Sequence, residues 1–195
     1  MTQKYQYIDW NQIYELCLKV YRQVRENGYI PDVIVGVARG GWVPARILAD
    51  FFVTSHTANV KVEFYQGIYE TIETPHISQP VSGEPRWKRV LLVDDISDTG
   101  SSLKAVIEHL QRYKVAELRS VCLHVKPWTE PLPNFYVKST DAWVIYPWEL
   151  KEFIFAQAQQ MKEEGKSEKE IKLSLQNFGL PPRPLKEFLD EWRQR

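Results

Sequence analysis

Two short, almost wholly apolar runs constrain the fold of this chain more than any other feature of its sequence. The run VIVGV covers residues 33–37, and the run VLLV covers residues 90–93. Strands of this composition are typical of parallel sheets whose two faces are both covered by helices. Each run is followed by small or polar residues and then by a helical pattern, which predicts strands that alternate with helices.

This alternation continues over the first 150 residues. We therefore predict an α/β fold, in which a mostly parallel, twisted sheet is flanked by helices. Between Tyr65 and Lys88 lie more than twenty residues with little periodicity, and we expect a loop that closes over a ligand. The predicted helices are 10–27, 44–52 and 102–113, and the further predicted strands are NVKVEFY, LRSVCLHV and AWVIYP.

The last 45 residues differ in character, because they are highly charged and have helical periodicity. Ser167 and Glu170 form a capping-box pattern that predicts the start of one short helix. We predict up to three short helices in this part of the chain. The expected domains are therefore residues 1–150, which include a small hood, and a helical extension over residues 151–195.

The composition argues against two classes of partner. Lys and Arg number 25, as do Asp and Glu, so the formal net charge is zero and no general attraction to nucleic acid or acidic membranes follows.

Cys17 and Cys122 lie in regular apolar patterns, which indicates reduced core residues. The chain starts without the apolar segment of a signal peptide, so we expect a soluble, cytoplasmic protein.

An acidic pair follows the second apolar run, in the string VLLVDDISDTGSSL. Ligands of open α/β sheets bind beyond the carboxyl ends of the strands, where Asp94 and Asp95 are expected. Neighbouring strand residues point to opposite sides, so each carboxylate can accept hydrogen bonds from sugar hydroxyls or reach Mg²⁺. The small residues 97–102 then lead into a helix N-terminus, which favours an anion. Together these features indicate a site for a phosphorylated sugar.

A second candidate loop follows the first apolar run. Arg39, Gly40 and Gly41 come directly after the predicted strand and before a helix. Glycine allows backbone amides to approach an oxygen-rich ligand, and Arg39 adds positive charge. This loop is therefore a second candidate for binding phosphate.

The string from Val90 to Ser102 resembles the phosphoribosyl pyrophosphate (PRPP) signature of the type I phosphoribosyltransferases. The resemblance implies that Mg²⁺ is the cofactor, that Asp95 is its ligand and that Asp98 is the catalytic residue. It also implies that the Arg39 loop binds pyrophosphate, with a cis peptide bond between Ala38 and Arg39. The family's flexible loop often carries a Ser-Tyr pair, for which residues 68–71 are the local candidates. The implied substrate-binding residues of these two loops are Arg39, Gly40, Gly41, Asp94, Asp95, Asp98, Thr99, Gly100, Ser101 and Ser102, of which Asp98 binds N7 of the base and the others bind PRPP.

Two later strings, CLHVKPW and DAWVIYPWE, resemble the hypoxanthine, guanine and xanthine branch of that family. By this resemblance Lys126 donates to the 6-oxo group, Trp143 stacks on the purine ring and the Val144 carbonyl accepts from a group at C2. The implied reaction is purine salvage: PRPP and a 6-oxopurine base give a nucleoside 5′-monophosphate and pyrophosphate. A homo-oligomer, dimer or tetramer, is also implied.

Two alternatives remain at this point. A regulatory protein could keep the fold to sense PRPP or a nucleotide, although zero net charge argues against the nucleic-acid binding that such proteins need. A transferase for pyrimidines or adenine is disfavoured by the resemblance at Lys126 and Trp143.

Overall fold

The computed structural model describes residues 4–65 and 74–194. In chain order its elements are β1 (Tyr5–Tyr7), α1 (Trp10–Glu26), β2 (Val33–Ala38), α2 (Trp42–Phe51), β3 (Thr57–Tyr65), β4 (Thr74–Gln79), β5 (Arg89–Ser97), α3 (Ser101–Gln111), β6 (Glu117–Val125), β7 (Phe135–Ser139), β8 (Trp143–Ile145), α4 (Leu150–Glu163), α5 (Glu168–Asn177) and α6 (Pro182–Arg193).

The chain forms two compact units, one of residues 13–140 and one of residues 1–12 with 141–195. A compact unit does not by itself define a functional domain, so the expected boundary at residue 150 stays a prediction. Within the described residues, no helix is both long enough and apolar enough to cross a bilayer.

The larger unit contains a six-stranded sheet in the order β4-β3-β2-β5-β6-β7. All neighbouring strands are parallel except β3 and β4. The predicted fold class is therefore confirmed. The two apolar runs that predicted the sheet lie side by side at its centre, because Val33 pairs with Val90 and Gly36 with Val93.

Helices cover both faces of this sheet. Alternate residues of β2 and β5, including Val35 and Leu92, share an apolar cluster with Val106 of α3. The other face meets α2, where a Cβ atom on Gly36 would lie 3.1 Å from the Cβ of Ala45. Strands that are packed on both faces need apolar side chains in both directions, which explains why the two runs show no alternation.

The sequence prediction was wrong at the edges of the sheet. The segment between Tyr65 and Lys88 was expected to be a loop, yet residues 74–79 form β4, which pairs with β3. A proline such as Pro75 is tolerated there, because β4 is an edge strand. Strand β7 was not predicted, and it occupies the place beside β6. Strand β8 was expected in this sheet but instead pairs with β1 in a separate two-stranded sheet.

The smaller unit contains that two-stranded sheet and the three predicted C-terminal helices. Ile145 of β8 belongs to the same apolar cluster as Ile154 of α4, Leu175 of α5 and Leu189 of α6. The capping box of α5 is present, since the backbone N–H of Glu170 donates to the Ser167 hydroxyl and Glu170 accepts from the Ser167 N–H. The helices are thus amphipathic, and they bury their apolar faces against one another and β8.

Candidate active site

The acidic pair lies near the end of β5, which continues to Ser97 because Ile96 and Ser97 still pair with β6. As predicted from the pleat, the two carboxylates point to different surroundings. Asp94 lines a cavity of about 220 Å³ at the carboxyl end of the strand. Asp95 is buried and lies directly against Gly40, where an added Cβ atom would overlap its carboxylate.

Without a ligand, the neighbouring carboxylates of Asp94 and Asp95 are electrostatically unfavourable. Burial and the neighbouring Asp95 carboxylate raise the pKa of Asp94 well above its ordinary value. Burial also raises the pKa of the Cys122 thiol, which pairs with Asp94 in the strand register, and both carboxylates add to that shift. A cation or sugar hydroxyls at this position would relieve the repulsion.

The turn after β5 leads straight into α3. Gly100 has φ of 88°, a left-handed conformation that favours glycine, and it precedes the first helical residue. The hydroxyls of Thr99 and Ser101 are hydrogen-bonded to each other, and the Ser101 N–H donates to Thr99 Oγ1 at 3.3 Å. The lining of the 220 Å³ cavity is Phe64, Asp94, Ile96, Ser97, Asp98, Thr99, Gly100, Ser102 and Leu103. The structure therefore brings five of the predicted site residues to one cavity at a helix N-terminus, which is suited to a phosphate.

The turn after β2 has the predicted cis peptide bond between Ala38 and Arg39. Gly41 is tightly enclosed, since an added Cβ atom would overlap the Val93 carbonyl oxygen and lie 2.7 Å from that of Val37. The Arg39 side chain is exposed, and α2 begins directly after Gly41. The contact between Gly40 and Asp95 joins this turn to the acidic pair of β5.

Lys126 follows β6 and is buried, at 7% exposed. Its loop is hydrogen-bonded to the turn after β5 at several points. The Lys126 N–H donates to the Ser97 carbonyl at 3.0 Å, and the Thr129 hydroxyl lies 2.7 Å from the same oxygen. The Glu130 N–H donates to the Thr99 carbonyl at 3.1 Å. These bonds fix the position of Lys126 relative to the 220 Å³ cavity.

Sequence reasoning missed Trp128. Its indole Nε1–H donates to Asp98 Oδ1 at 2.8 Å, although the residue is 56% exposed. The string CLHVKPW contained a signal, because an aromatic residue just beyond a strand's carboxyl end lies where ligands bind.

Trp143 and Val144 lie in β8 of the smaller unit. Trp143 is about half exposed and lines a cavity of about 590 Å³ with Tyr5, Phe153 and Gln157, whereas Val144 is buried. Their predicted contacts with a base stay predictions. Residues 68–71, named as candidates in the flexible loop, lie outside the described residues.

Comparison with known proteins identifies the family. The family described as the phosphoribosyl transferase domain matches residues 5–153. The chain belongs to this family.

Relatives refine the assignment within the phosphoribosyltransferases. The crystal structure of a purine phosphoribosyltransferase from Pyrococcus horikoshii is 38% identical, with a TM-score of 0.67, over 74% of this chain and 93% of that one. The xanthine-guanine phosphoribosyltransferase of Gluconobacter oxydans is 29% identical over 76% of this chain and 86% of that protein. The xanthine phosphoribosyltransferase 1 of Saccharomyces cerevisiae is 25% identical over 75% of this chain and 90% of that protein. The chain thus belongs to the purine branch of the phosphoribosyltransferases.

The acidic pair fits Mg²⁺ in the manner expected for a phosphoribosyltransferase. Within residues 4–65 and 74–194, no group of three or more His, Cys, Asp or Glu side chains forms a metal cage. Mg²⁺ commonly binds through one or two carboxylates together with phosphate oxygens of the substrate and water, so a full protein cage is unnecessary. Asp95 of β5, whose carboxylate lies against Gly40 of the Arg39 turn, has the hard oxygen donors that such an ion requires.

Proposed function

We propose that this purine phosphoribosyltransferase transfers the 5-phosphoribosyl group of PRPP to N9 of a 6-oxopurine base. The products are the nucleoside 5′-monophosphate and pyrophosphate, a purine-salvage reaction. The observation that carries the proposal is the 220 Å³ cavity, in which Asp94, Asp98 and the Thr99–Ser102 turn converge at the N-terminus of α3. It joins hydrogen-bond acceptors for a sugar with a binding site for its phosphate.

The turn from Thr99 to Ser102 is proposed to bind the 5′-phosphate. The amides of the first turn of α3, which lack partners within the helix, and the hydroxyls of Thr99, Ser101 and Ser102 are donors that suit phosphate oxygens. Asp94 and Asp95 would accept hydrogen bonds from the ribose hydroxyls. Together these contacts hold C1′ in place, which supplies the orientation that the reaction needs.

The Arg39 turn is proposed to bind the pyrophosphate that leaves. The bond between C1′ and the pyrophosphate oxygen breaks as N9 bonds to C1′, so negative charge grows on the leaving group. Arg39 and the amides of Gly40 and Gly41 would stabilise that charge. Asp95 would hold Mg²⁺, which when bound neutralises part of the pyrophosphate charge.

Base recognition is proposed to depend on Lys126, Asp98, Trp143 and Val144. Lys126 donates to the 6-oxo group and thereby rejects adenine, since an amino group at C6 is itself a donor and offers the buried ammonium no oxygen acceptor. Asp98 accepts a hydrogen bond from N7–H of the base and takes up that proton as N9 attacks C1′. Trp143 stacks on the ring, and the Val144 carbonyl accepts from a group at C2.

A panel of bases tests the proposal directly. The protein is incubated with Mg²⁺, PRPP and, separately, hypoxanthine, guanine, xanthine, adenine and uracil, and the nucleotide is identified by chromatography and mass. We expect product with at least one 6-oxopurine and little with adenine. Preference for adenine in the wild type would overturn the assignment of Lys126. No nucleotide from any base, together with measurable PRPP binding, would favour the alternative of a PRPP-sensing regulatory protein.

The proposed homo-oligomer and the proposed cytoplasmic location need separate measurements. Size-exclusion chromatography with light scattering at several concentrations measures the mass of the assembly, and a dimer or tetramer is expected. Purine salvage uses small molecules of the cytoplasm, which is the reason for the proposed location. Nucleic acid is not among the proposed partners, because the chain has zero formal net charge.

A further inference from the structure

Trp128 makes contacts that its exposed position does not require. An exposed indole N–H is ordinarily satisfied by water, yet this one donates to Asp98 Oδ1 at 2.8 Å. The Lys126 Nζ atom lies over the same ring, 5.9 Å from its centroid. One side chain therefore contacts both Asp98 and Lys126, the two residues of this unit assigned above to the base.

The backbone around Trp128 is held firmly. The Lys126 N–H donates to Thr129 Oγ1 at 2.9 Å, and the Thr129 hydroxyl also lies 2.6 Å from the Asp98 carbonyl oxygen. Gly100 leaves no space between the two loops, because a Cβ atom there would overlap the Glu130 carbonyl oxygen. Trp128 is thus carried by a loop that is fixed to the turn containing Asp98.

The chemistry of a purine explains why such a connection matters. O6 and N7 are neighbours on one edge of the ring, so the groups that bind them must keep a fixed spacing. The Asp98 and Lys126 side chains have several rotamers each. The entropy lost when they are ordered weakens base binding unless another group already holds them in place. The indole orients Asp98 through a hydrogen bond and faces the Lys126 ammonium with its ring.

We propose that Trp128 is a positioning residue for base recognition, which sets the spacing between the Asp98 carboxylate and the Lys126 ammonium. Its N–H occupies Oδ1 of Asp98, which leaves Oδ2 for N7 of the base. The inference rests on the proposed function, because it assumes that Asp98 and Lys126 bind the base.

Substitution of Trp128 separates its two contacts. Trp128→Phe keeps an aromatic ring below Lys126 and removes the N–H, whereas Trp128→Leu removes both. Loss of a hydrogen bond to a charged group is expected to lower kcat/KM for the 6-oxopurine about tenfold to a hundredfold in Trp128→Phe. KM for PRPP and Tm should stay close to the wild-type values. Trp128→Leu should lose more and should also discriminate less between hypoxanthine and adenine.

The matched control is Trp87→Phe. Trp87 is 69% exposed and lies in the same unit just before β5, outside the lining of the cavity. The same change there is expected to leave the kinetics with both substrates unchanged. If Trp128→Phe behaves like Trp87→Phe, or if base and PRPP binding weaken equally, the positioning role is wrong.

A second measurement does not depend on turnover. In a ¹H–¹⁵N spectrum, the indole signal that disappears in Trp128→Phe identifies Trp128, and that signal should shift in Asp98→Asn more than the Trp87 signal does. An unshifted Trp128 signal would overturn the proposal. A wild-type protein that makes no nucleotide from any purine overturns the proposed function and the positioning role with it, whereas an active enzyme with a normal Trp128→Phe overturns only the positioning role.

Discussion

The two ends of strands β2 and β5 have opposite electrostatic arrangements. Where the strands begin, the Arg89 guanidinium donates to both oxygens of Asp32, at 2.8 and 3.1 Å, and its backbone N–H donates at 2.7 Å. These hydrogen bonds lower the pKa of Asp32 to about 2. Where β5 ends, Asp94 and Asp95 place like charges side by side, and the pKa of Asp94 is raised.

The difference in charge arrangement indicates that one end of β2 and β5 contributes to stability and the other end to function. Opposite charges at the first end favour the folded chain, and the glycines and like charges at the other end oppose it. Natural proteins tend to break local rules at functional sites, where a ligand completes the interactions. This contrast supports the proposal that the end of β5 and the turn after β2 form the active site, and that the Asp32–Arg89 end contributes to stability alone.

Asp98→Asn is expected to have the largest effect at the active-site end. Asparagine keeps the shape and one oxygen acceptor but cannot take a proton, so kcat should fall about 10²- to 10⁴-fold. PRPP binding, measured by calorimetry, should survive, because Asp98 is not proposed to hold the phosphate. Unchanged turnover would remove Asp98 from the mechanism.

Gly100→Ala is expected to destabilise the protein by about 3 kcal/mol or more. The left-handed conformation alone costs an L-residue roughly 1–2 kcal/mol, and the new methyl group would also overlap the Glu130 carbonyl oxygen. Gly83→Ala is the matched control, since Gly83 has φ of 86° and no atom within 4 Å of an added Cβ. The urea midpoints of the two variants give the comparison, and equal losses would contradict the close approach of the two loops.

Asp94→Asn is expected to stabilise the protein alone while weakening PRPP binding. Asparagine relieves the repulsion from Asp95 and keeps the oxygen that accepts the Asp95 N–H at 3.0 Å. In Mg²⁺-free buffer at pH 7 the free energy of unfolding should rise by about 0.5–2 kcal/mol. The exposed Asp50→Asn is the control and should change little. A loss of stability in Asp94→Asn would show that repulsion between Asp94 and Asp95 does not destabilise the folded protein.

Asp32→Asn is expected to have the smallest effect, confined to stability. Both partners are about two-fifths exposed, so solvent screening limits the loss at pH 7 to less than about 1 kcal/mol. Because folding lowers the pKa of Asp32, its contribution is present above about pH 4 and is lost as the pH falls toward 2. Denaturation curves of wild type and variant should therefore converge over that interval. An altered kcat/KM in Asp32→Asn would contradict the assignment of the Asp32–Arg89 end to stability alone.

How well each element could be predicted depended on its position in the sheet. The central strands β2 and β5 were predictable because burial on both faces leaves an unbroken apolar run. Edge strands β4 and β7 have mixed exposure and escaped prediction. In the site, the five predicted residues that line the cavity all come from the contiguous string DDISDTGSS, whereas Trp128, which the sequence did not reveal, is thirty residues from its partner Asp98.

The sequence by itself determined the α/β class, the two turns that bind phosphate in the proposed reaction, and the three C-terminal helices. Each depends on neighbours along the chain, through apolar periodicity, turn glycines or capping residues. Only the tertiary structure decided that Asp95 lies against Gly40, that Trp128 meets Asp98 and that β8 pairs with β1. Local pattern specifies which faces of a segment are buried, but packing and hydrogen bonding across the whole chain select the partner that buries them.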